Sequence, residues 1–500
     1  MGTRVAKASV KAKVAGNNLA PTGFTINLWV NSIPSIEIQC APSKMQKGEN
    51  TPTKVNVKKP SISDFSDLYR ELANKAESLS EEGDVEISID YGDFVSEIKL
   101  EGWILSSVGM SSVSATGAPY LSVVLMHPIC KLTKFGSIYE TVKSADVIPD
   151  SAKNASDFIE IVDKVYDGVS KGDNKFLKSP SSYPKTFRKK LGEEEFKPST
   201  YLVYKGPKGF LSAGDGIDED EAKAAKALKK CIASAIADMV IPSNGGSSTW
   251  DMIVSMSGAL LLWITQDDDN NFTTKKLAIG PADPWRKQDV TLKDEFCSQT
   301  ELQGMDPFRV TGVMCRKMGP YNDNISQGLY ANGNKNKEEP VADILYVPDG
   351  TDTKSASGRI IKTSAPAILD AAYRKDAPHG KSISTGMSGV KNAQRYNGII
   401  EKYCKAVYEM AATSMVKARA QMIIRFKDDD NKMILPGRTC KFMSGEKAIY
   451  YGYIMGVSHS MTTRGGCATT VSMSYVRPEE NLKIGDKDAI KAGSGNAAYG

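Results

Sequence analysis

Hydrophobic positions along the chain recur in two rhythms. Phe24, Ile26, Leu28 and Val30 alternate with polar neighbours, the period of a half-buried strand, and a second strand is expected over 35–40. After a polar stretch, 41–60, the residues Phe65, Leu68, Tyr69, Leu72, Ala76 and Leu79 recur at three- and four-residue spacing. That spacing predicts an amphipathic helix, with Gly83 placed to end it. Val85, Ile87, Ile89 and Tyr91 alternate again, and two longer apolar segments, 97–108 and 120–126, flank a Ser/Gly-rich connection at 109–118. Residues 1–140 therefore read as one module of strands, helix and strands.

The segment 141–305 is less regular. Tyr183-Pro184 and Lys197-Pro198 mark a long polar loop, and 218–240 predicts a helix, with four acidic residues at its start and an Ala-rich body. Ser248 is placed to cap a second helix near Trp250, and 260–265 with 272–279 read as a hairpin around an Asp/Asn turn.

From 306 the style of the first module returns. A strand is expected at 308–316. Tyr396, Ile399, Ile400, Tyr403, Val407, Met410 and Ala411 trace a helix ending near Arg419. A strand at 422–426, a turn at 428–431 and a final hairpin of 450–459 with 469–477 follow, and the polar tail 479–500 is expected to be mobile. Overlaid at an offset of 350, the segments 102–128 and 452–478 align without a gap. Gly102-Trp103-Ile104-Leu105 then faces Gly452-Tyr453-Ile454-Met455, and Pro128 faces Pro478. The pattern predicts one helix-bearing β-module used twice, at 1–140 and 306–478, in a β-rich α+β chain. Gly102 and Gly452 are expected where neighbours approach closely, and Trp103 and Tyr453 in equivalent places.

Composition adds exclusions. At 500 residues, with 41% hydrophobic and 25% charged residues, the chain has the composition of a globular protein, and three or four domains of about 100–200 residues are expected. A net charge of +5 gives no basic footprint for nucleic acid, and the run 188–190 is answered by Glu193-Glu194-Glu195. No apolar region follows the basic N-terminus, Ala6 breaks the myristoylation pattern, and the apolar stretch 252–266 is too short to span a bilayer. A soluble protein without a membrane anchor is expected. The eight cysteines are scattered without CxxC spacing and read as reduced, buried thiols rather than zinc ligands or disulfides.

Catalytic motifs fail one by one. Gly380-Lys381-Ser382 has Lys375 where a P-loop needs glycine, and 386–390 ends in Val390 where a nucleophile elbow needs glycine. Asp267, Asp269 and Asn271 have the spacing of a calcium loop, but Phe272 and Ala278 replace its glycine and its bidentate Glu, and Lys432 spoils the run at 428. His127, His379 and His459 are far apart, with His127 and His459 expected as hydrogen-bonded structural residues. No catalytic residue, metal ligand or cofactor is expected.

The run Pro436-Gly437, Tyr450-Tyr451-Gly452-Tyr453-Ile454, Val457-Ser458-His459, Ala468-Thr469-Thr470 and Tyr475-Val476-Arg477-Pro478 resembles the C-terminal module of baseplate hub proteins of contractile-tailed phages. The segment 100–128, with Gly102-Trp103-Ile104 and His127-Pro128, resembles their N-terminal module. Similar modules occur in type VI secretion and pyocin hubs. The resemblance implies two tail-tube-type β-barrel or sandwich modules, each with a packed helix, around an inserted mixed α/β region. It implies a homotrimer forming a pseudo-hexameric ring in the virion baseplate. Tail tube or tube-initiator proteins would lie above it, the central spike below and wedge proteins around it. The function implied is symmetry adaptation and nucleation of tube assembly. The competing expectation is a tail-associated cell-wall hydrolase, recognisable by a cleft with two acids from 141–305.

Overall fold

The computed structural model describes residues 7–40, 66–77, 79–112, 119–134, 289–303, 417–462 and 467–478. It also describes the short segments 142–143, 202–203, 240–241, 250–251, 254, 262–268, 272–276, 310–316, 344–346, 359–364, 404 and 407–408. The chain begins with β1 (Lys7–Val14), β2 (Asn17–Leu19), β3 (Pro21–Trp29), β4 (Ser35–Cys40), helix α1 (Ser66–Ala76), β5 (Glu82–Asp90), β6 (Val95–Ser112) and β7 (Pro119–Met126). Next come β8 (Val142–Lys143), β9 (Leu202–Val203), β10 (Val240–Ile241), β11 (Leu262–Gln266) and β12 (Phe272–Lys276). The remainder holds β13 (Val290–Lys293), β14 (Cys297–Gln303), β15 (Val310–Arg316), β16 (Ile344–Tyr346), β17 (Arg359–Ser364), β18 (Lys417–Met422), β19 (Thr439–Ser444), β20 (Lys447–Met461) and β21 (Cys467–Pro478). The fold is β-rich α+β.

Thirteen strands form one sheet. Its first part runs β3-β4-β7-β6-β5-β1 and its second β14-β18-β21-β20-β19-β13. Each set is in the same order when its strands are counted along the chain, so one topology is used twice. The pairing repeats in detail. In the first part Cys40 faces Leu121 and Ser35 faces Met126; in the second Met422 faces Thr469 and Lys417 faces Ser474. A bulge lies between Pro21 and Gly23 opposite β4, and its counterpart between Cys297 and Gln299 opposite β18. Leu105 N–H donates to Glu81 O at 2.8 Å, as Ile454 N–H donates to Arg438 O at 2.9 Å. One strand breaks the repeat: β1 runs antiparallel to β5, whereas β13 runs parallel to β19.

Inward residues of both parts join one contiguous core. Ile26, Ile36, Ile38, Val85, Ile87, Leu121, Val123 and Leu125 of the first part pack with Leu292, Ala418, Ala420, Phe442, Ile454, Val457, Val471 and Met473 of the second. At about 25 cal/mol per Å² of apolar surface removed from water, this burial is the main force holding the two parts together. Helix α1 packs against β6, burying Leu72 and Ala76.

Several expectations shift. Leu79, at φ 46°, ends the turn after α1, while Gly83 belongs to β5, where a Cβ would meet Leu125 at 2.8 Å. The helix expected to reach Arg419 stops earlier, because Lys417–Met422 is β18 with Ala418, Ala420 and Met422 buried at alternate positions. Residues 423–426 form no strand and bend at 423 and 426, in place of the strand expected at 422–426. Strands β13 and β14 precede the division expected at 305, yet they pair with β19 and β18. The strand expected at 308–316 forms as β15, but in a separate three-stranded sheet with β16 and β17. Helical residues also enter at different points: α1 follows β4, whereas Cys404, Val407 and Tyr408 precede β18. The hairpin expected at 260–279 is β11–β12, the turn at 428–431 forms, and Trp250 is helical. The loop 41–60, Tyr183-Pro184, Lys197-Pro198, Ser248, His379 and the tail 479–500 lie outside the described residues, as does the helix expected over 218–240 up to 239; its last residue, Val240, is in a strand instead.

Candidate functional site

The two modules meet along a strand pair. β3 lies antiparallel to the C-terminal half of β20, with Trp29 opposite Gly456, Leu28 opposite Val457, Asn27 opposite Ser458 and Ile26 opposite His459. Only glycine fits at 456, since a Cβ there would sit 2.4 Å from the Trp29 ring. Gly23 is equally constrained, its Cβ position lying 2.6 Å from Met461 O. Ser458 Oγ donates to Asn27 Oδ1 at 2.9 Å across the pair, and Val30 N–H donates to Met455 O at 3.0 Å beyond its end.

A second contact joins the β5–β6 hairpin to residues 424–426. Ile424 N–H donates to the Tyr91 hydroxyl at 2.9 Å, and Phe426 N–H donates to Ser96 Oγ at 3.1 Å. Arg425 lies 4.9 Å from the Phe94 ring centroid and 4.1 Å from that of Phe296, and pairs with Asp429 at 2.5 Å. Burial pushes the Asp429 carboxyl up, but its bonds to Lys293 and Arg425 outweigh this and hold it below the usual range. These bonds satisfy backbone groups that the break after β18 would otherwise leave unpaired in a low-dielectric site.

The middle hairpin β11–β12 touches both modules. Trp263 stands edge-on to Tyr453 at 5.5 Å and also contacts Tyr475 at 5.5 Å. Phe272 meets His127 at 4.9 Å, and His127 in turn meets Trp103 at 6.1 Å. Asn31 and Ile264 exchange two hydrogen bonds, of 3.0 and 2.8 Å, and Arg438 pairs with Asp268 at 2.7 Å.

The residues singled out in the sequence occupy these contacts unevenly. Gly437 has φ +82°, its Cβ position lies 2.1 Å from Thr265 Cγ2, and with buried Pro436 it forms the turn into β19. Gly452 meets the close approach expected of it, with Val476 Cγ2 at 3.1 Å. Gly102 does not: its neighbourhood is open, and the need for glycine is a φ of +65° at a bulge where its N–H donates to Asp84 Oδ1 at 2.9 Å. Trp103 and Tyr453 are not equivalent. The bulges between Leu105 and Ser107 and between Ile454 and Gly456 match Leu105 to Ile454, one place off the gapless overlay. A one-residue slip exchanges faces, so Trp103 lies in the shared core while Tyr453 belongs to a separate cluster with Trp263, Tyr451 and Tyr475. His127 lies just beyond β7, where its Nδ1 accepts from Ile129 N–H at 3.1 Å and caps the turn begun by Pro128. His459, on β20, is 2.8 Å from Thr469 Oγ1, and burial lowers its pKa to about 3. Both are buried and hydrogen-bonded. Arg477 faces Tyr451 and Pro478 faces Tyr450 at the end of β21.

Two adjoining clefts, of about 700 and 330 Å³, lie between the β1–β5–β6 face and the turn after β18. Their lining mixes Lys11, Glu86, Glu97, Lys99, Asp268 and Lys427 in the larger with Arg425, Asp428 and Asp429 in the smaller. To the lining of these two clefts the described residues of 141–305 contribute one acid, Asp268, and it is paired with Arg438. Asp428 accepts from the backbone N–H groups of Thr291, Asp430 and Lys432 at 2.9–3.0 Å, so this acid organises a turn. Among the described residues no group of three or more His, Cys, Asp or Glu side chains could hold a metal, and no helix is long and apolar enough to cross a membrane.

No protein-family profile and no curated protein matches the chain. Solved structures similar to it include tail proteins and a secretion-system component. A tail protein from Neisseria meningitidis MC58 is 11% identical, with 96% of this chain and 99% of that one covered and a TM-score of 0.42. The 43 kDa tail protein of prophage MuSo2 from Shewanella oneidensis is 9% identical over 94% and 100%, with a TM-score of 0.44. An E. coli component of the type VI secretion system is 10% identical over 94% and 76%, with a TM-score of 0.37.

Proposed function

We propose that this chain is a structural, non-enzymatic hub of a contractile tail baseplate. In this reading a homotrimer presents six β-modules to a six-fold tail tube or tube initiator on one side. It seats a three-fold central spike on the other, within a ring of wedge proteins, and nucleates tube growth. The observation that supports it is the repeat itself: one chain carries two copies of a six-strand order, fused side by side in a single sheet. A chain that is already a lateral pair of like units needs three copies to offer six positions, and closed cyclic symmetry prevents open-ended growth. The second module then comprises β13, β14 and β18–β21, and the middle hairpin acts as a clamp between modules. No cofactor enters this reading, and its place is the virion baseplate.

Cryo-EM of the purified assembly, with its mass measured, is the test. Three copies per ring with near-six-fold density at the module level is the expected result. Six copies per ring, or a monomer within the assembled particle, would overturn it. The absence of catalysis is checked on peptidoglycan: turnover abolished by substituting an acid within 141–305 would favour a hydrolase.

A further inference from the structure

Both halves of the internal junction exist a second time in the chain, without a counterpart of that pairing among the described residues. By its bulge and its ladder to the next strand, β14 is the counterpart of β3: Thr300 corresponds to Phe24, Glu301 to Thr25, Leu302 to Ile26 and Gln303 to Asn27. By the same criterion the end of β6 is the counterpart of the end of β20. Val108 corresponds to Val457, Gly109 to Ser458, Met110 to His459, Ser111 to Ser460 and Ser112 to Met461. Within the chain, β3 pairs with β20. Among the described residues β14 pairs only with β18, and β6 beyond Ile104 pairs only with β7.

Burial records the missing partner on both edges. Ile26 is 0% exposed where β20 covers it, whereas its counterpart Leu302 is 46% exposed. Val457 and His459 are buried under β3, whereas Val108 and Met110 are only partly buried. Neither edge carries the proline or lysine with which exposed strands block pairing. The one charge, Glu301, already faces Arg419 in the ladder with β18.

We propose that β14 of one copy pairs antiparallel with residues 109–112 of β6 in a second copy, in the register of the internal junction. Gln303 then faces Gly109, Leu302 faces Met110, Glu301 faces Ser111 and Thr300 faces Ser112. The occupant is a second copy because this chain holds both complementary edges, one at each module, and each repeats an edge already paired inside it. Such a contact is head-to-tail, so it closes into a ring when the rotation allows. The proposal rests on the ring reading above and names the strands that join its copies.

The test uses the full chain. Isotopically light and heavy copies carrying Leu302→Cys and Met110→Cys are mixed, assembled and treated with a short bis-maleimide, and linked peptides are read by mass spectrometry. Links between light and heavy peptides at 110 and 302 are expected, with at least tenfold fewer from the out-of-register pair Met110→Cys and Thr300→Cys. Leu302→Lys should convert the assembly to monomer while leaving the monomer's melting temperature unchanged, because that side chain is already exposed. An assembly of the expected mass without the 110–302 link would refute this junction and leave the ring reading standing. A chain that is monomeric at every concentration would sink both. Pairing of β14 with a different tail protein alone would also refute the proposal.

Discussion

Gly437 concentrates two constraints at one residue. Its φ lies in the left-handed region, and Thr265 of the middle hairpin occupies the space where a Cβ would go. Gly437→Ala should destabilise the protein by about 1–3 kcal/mol, the usual range for enforced backbone strain. Thr265→Ser, which removes the obstructing Cγ2, should recover part of that loss; equal melting temperatures for the single and double variants would refute the steric explanation. His459 gives a pH signature. Burial lowers its pKa from 6.5 to about 3, so the unfolded chain binds the extra proton between those values. Its stabilising contribution is complete above pH 6.5 and declines as pH falls toward 3, by about 1.4 kcal/mol per pH unit at most. Urea midpoints at pH 7 and 4.5 should converge in His459→Gln relative to the parent, and an unchanged gap would show that other groups set the acid limit.

Among elements, the hairpin β11–β12 matters beyond its five-residue strands. One strand presents Trp263 to the aromatic cluster of the second module, the other presents Phe272 to His127 at the end of the first. Truncating a buried aromatic leaves a cavity, so Trp263→Ala and Phe272→Ala should each cost about 3–5 kcal/mol. Because each touches a different module, hydrogen exchange should loosen β20 and β21 in the first variant and the 127–130 turn in the second. The same regions responding in both would mean the hairpin is not a two-sided clamp.

For the whole molecule, the shared core predicts cooperativity. Leu28 and Ile26 pack in one cluster with Val457 and Val471, so separating the modules would expose apolar surface on both. Core amides of β6 and β20 should therefore exchange through one global opening with a common free energy. Two distinct free energies, or two resolved melting transitions assigned to the two modules, would contradict this.

Elements with a strong hydrophobic period were legible in the sequence. β4 is found at 35–40, and β5, β7, α1 and the final hairpin stand within a few residues of expectation, because alternating or helical burial leaves a direct mark on residue order. The likeness of the two hairpins was also legible, each a Gly-aromatic-Ile strand followed by an alternating strand that stops at a proline. β14 was missed because Ser298, Gln299, Thr300 and Glu301 carry no apolar stripe; its strand form is imposed by the ladder with β18. The first residues of β18, 417–419, read as the end of a helix because Ala and Arg favour one, and burial between β14 and β21 overrides that preference. The exact register of the repeat was hidden for a related reason. Bulges add a residue to one strand without changing its composition, so only the pairing itself shows that Trp103 turns into the core and Tyr453 away from it. Residue order thus determined the elements with a strong hydrophobic period. Which edges meet was decided by hydrogen-bond partners hundreds of residues apart, as when β3 seats on β20.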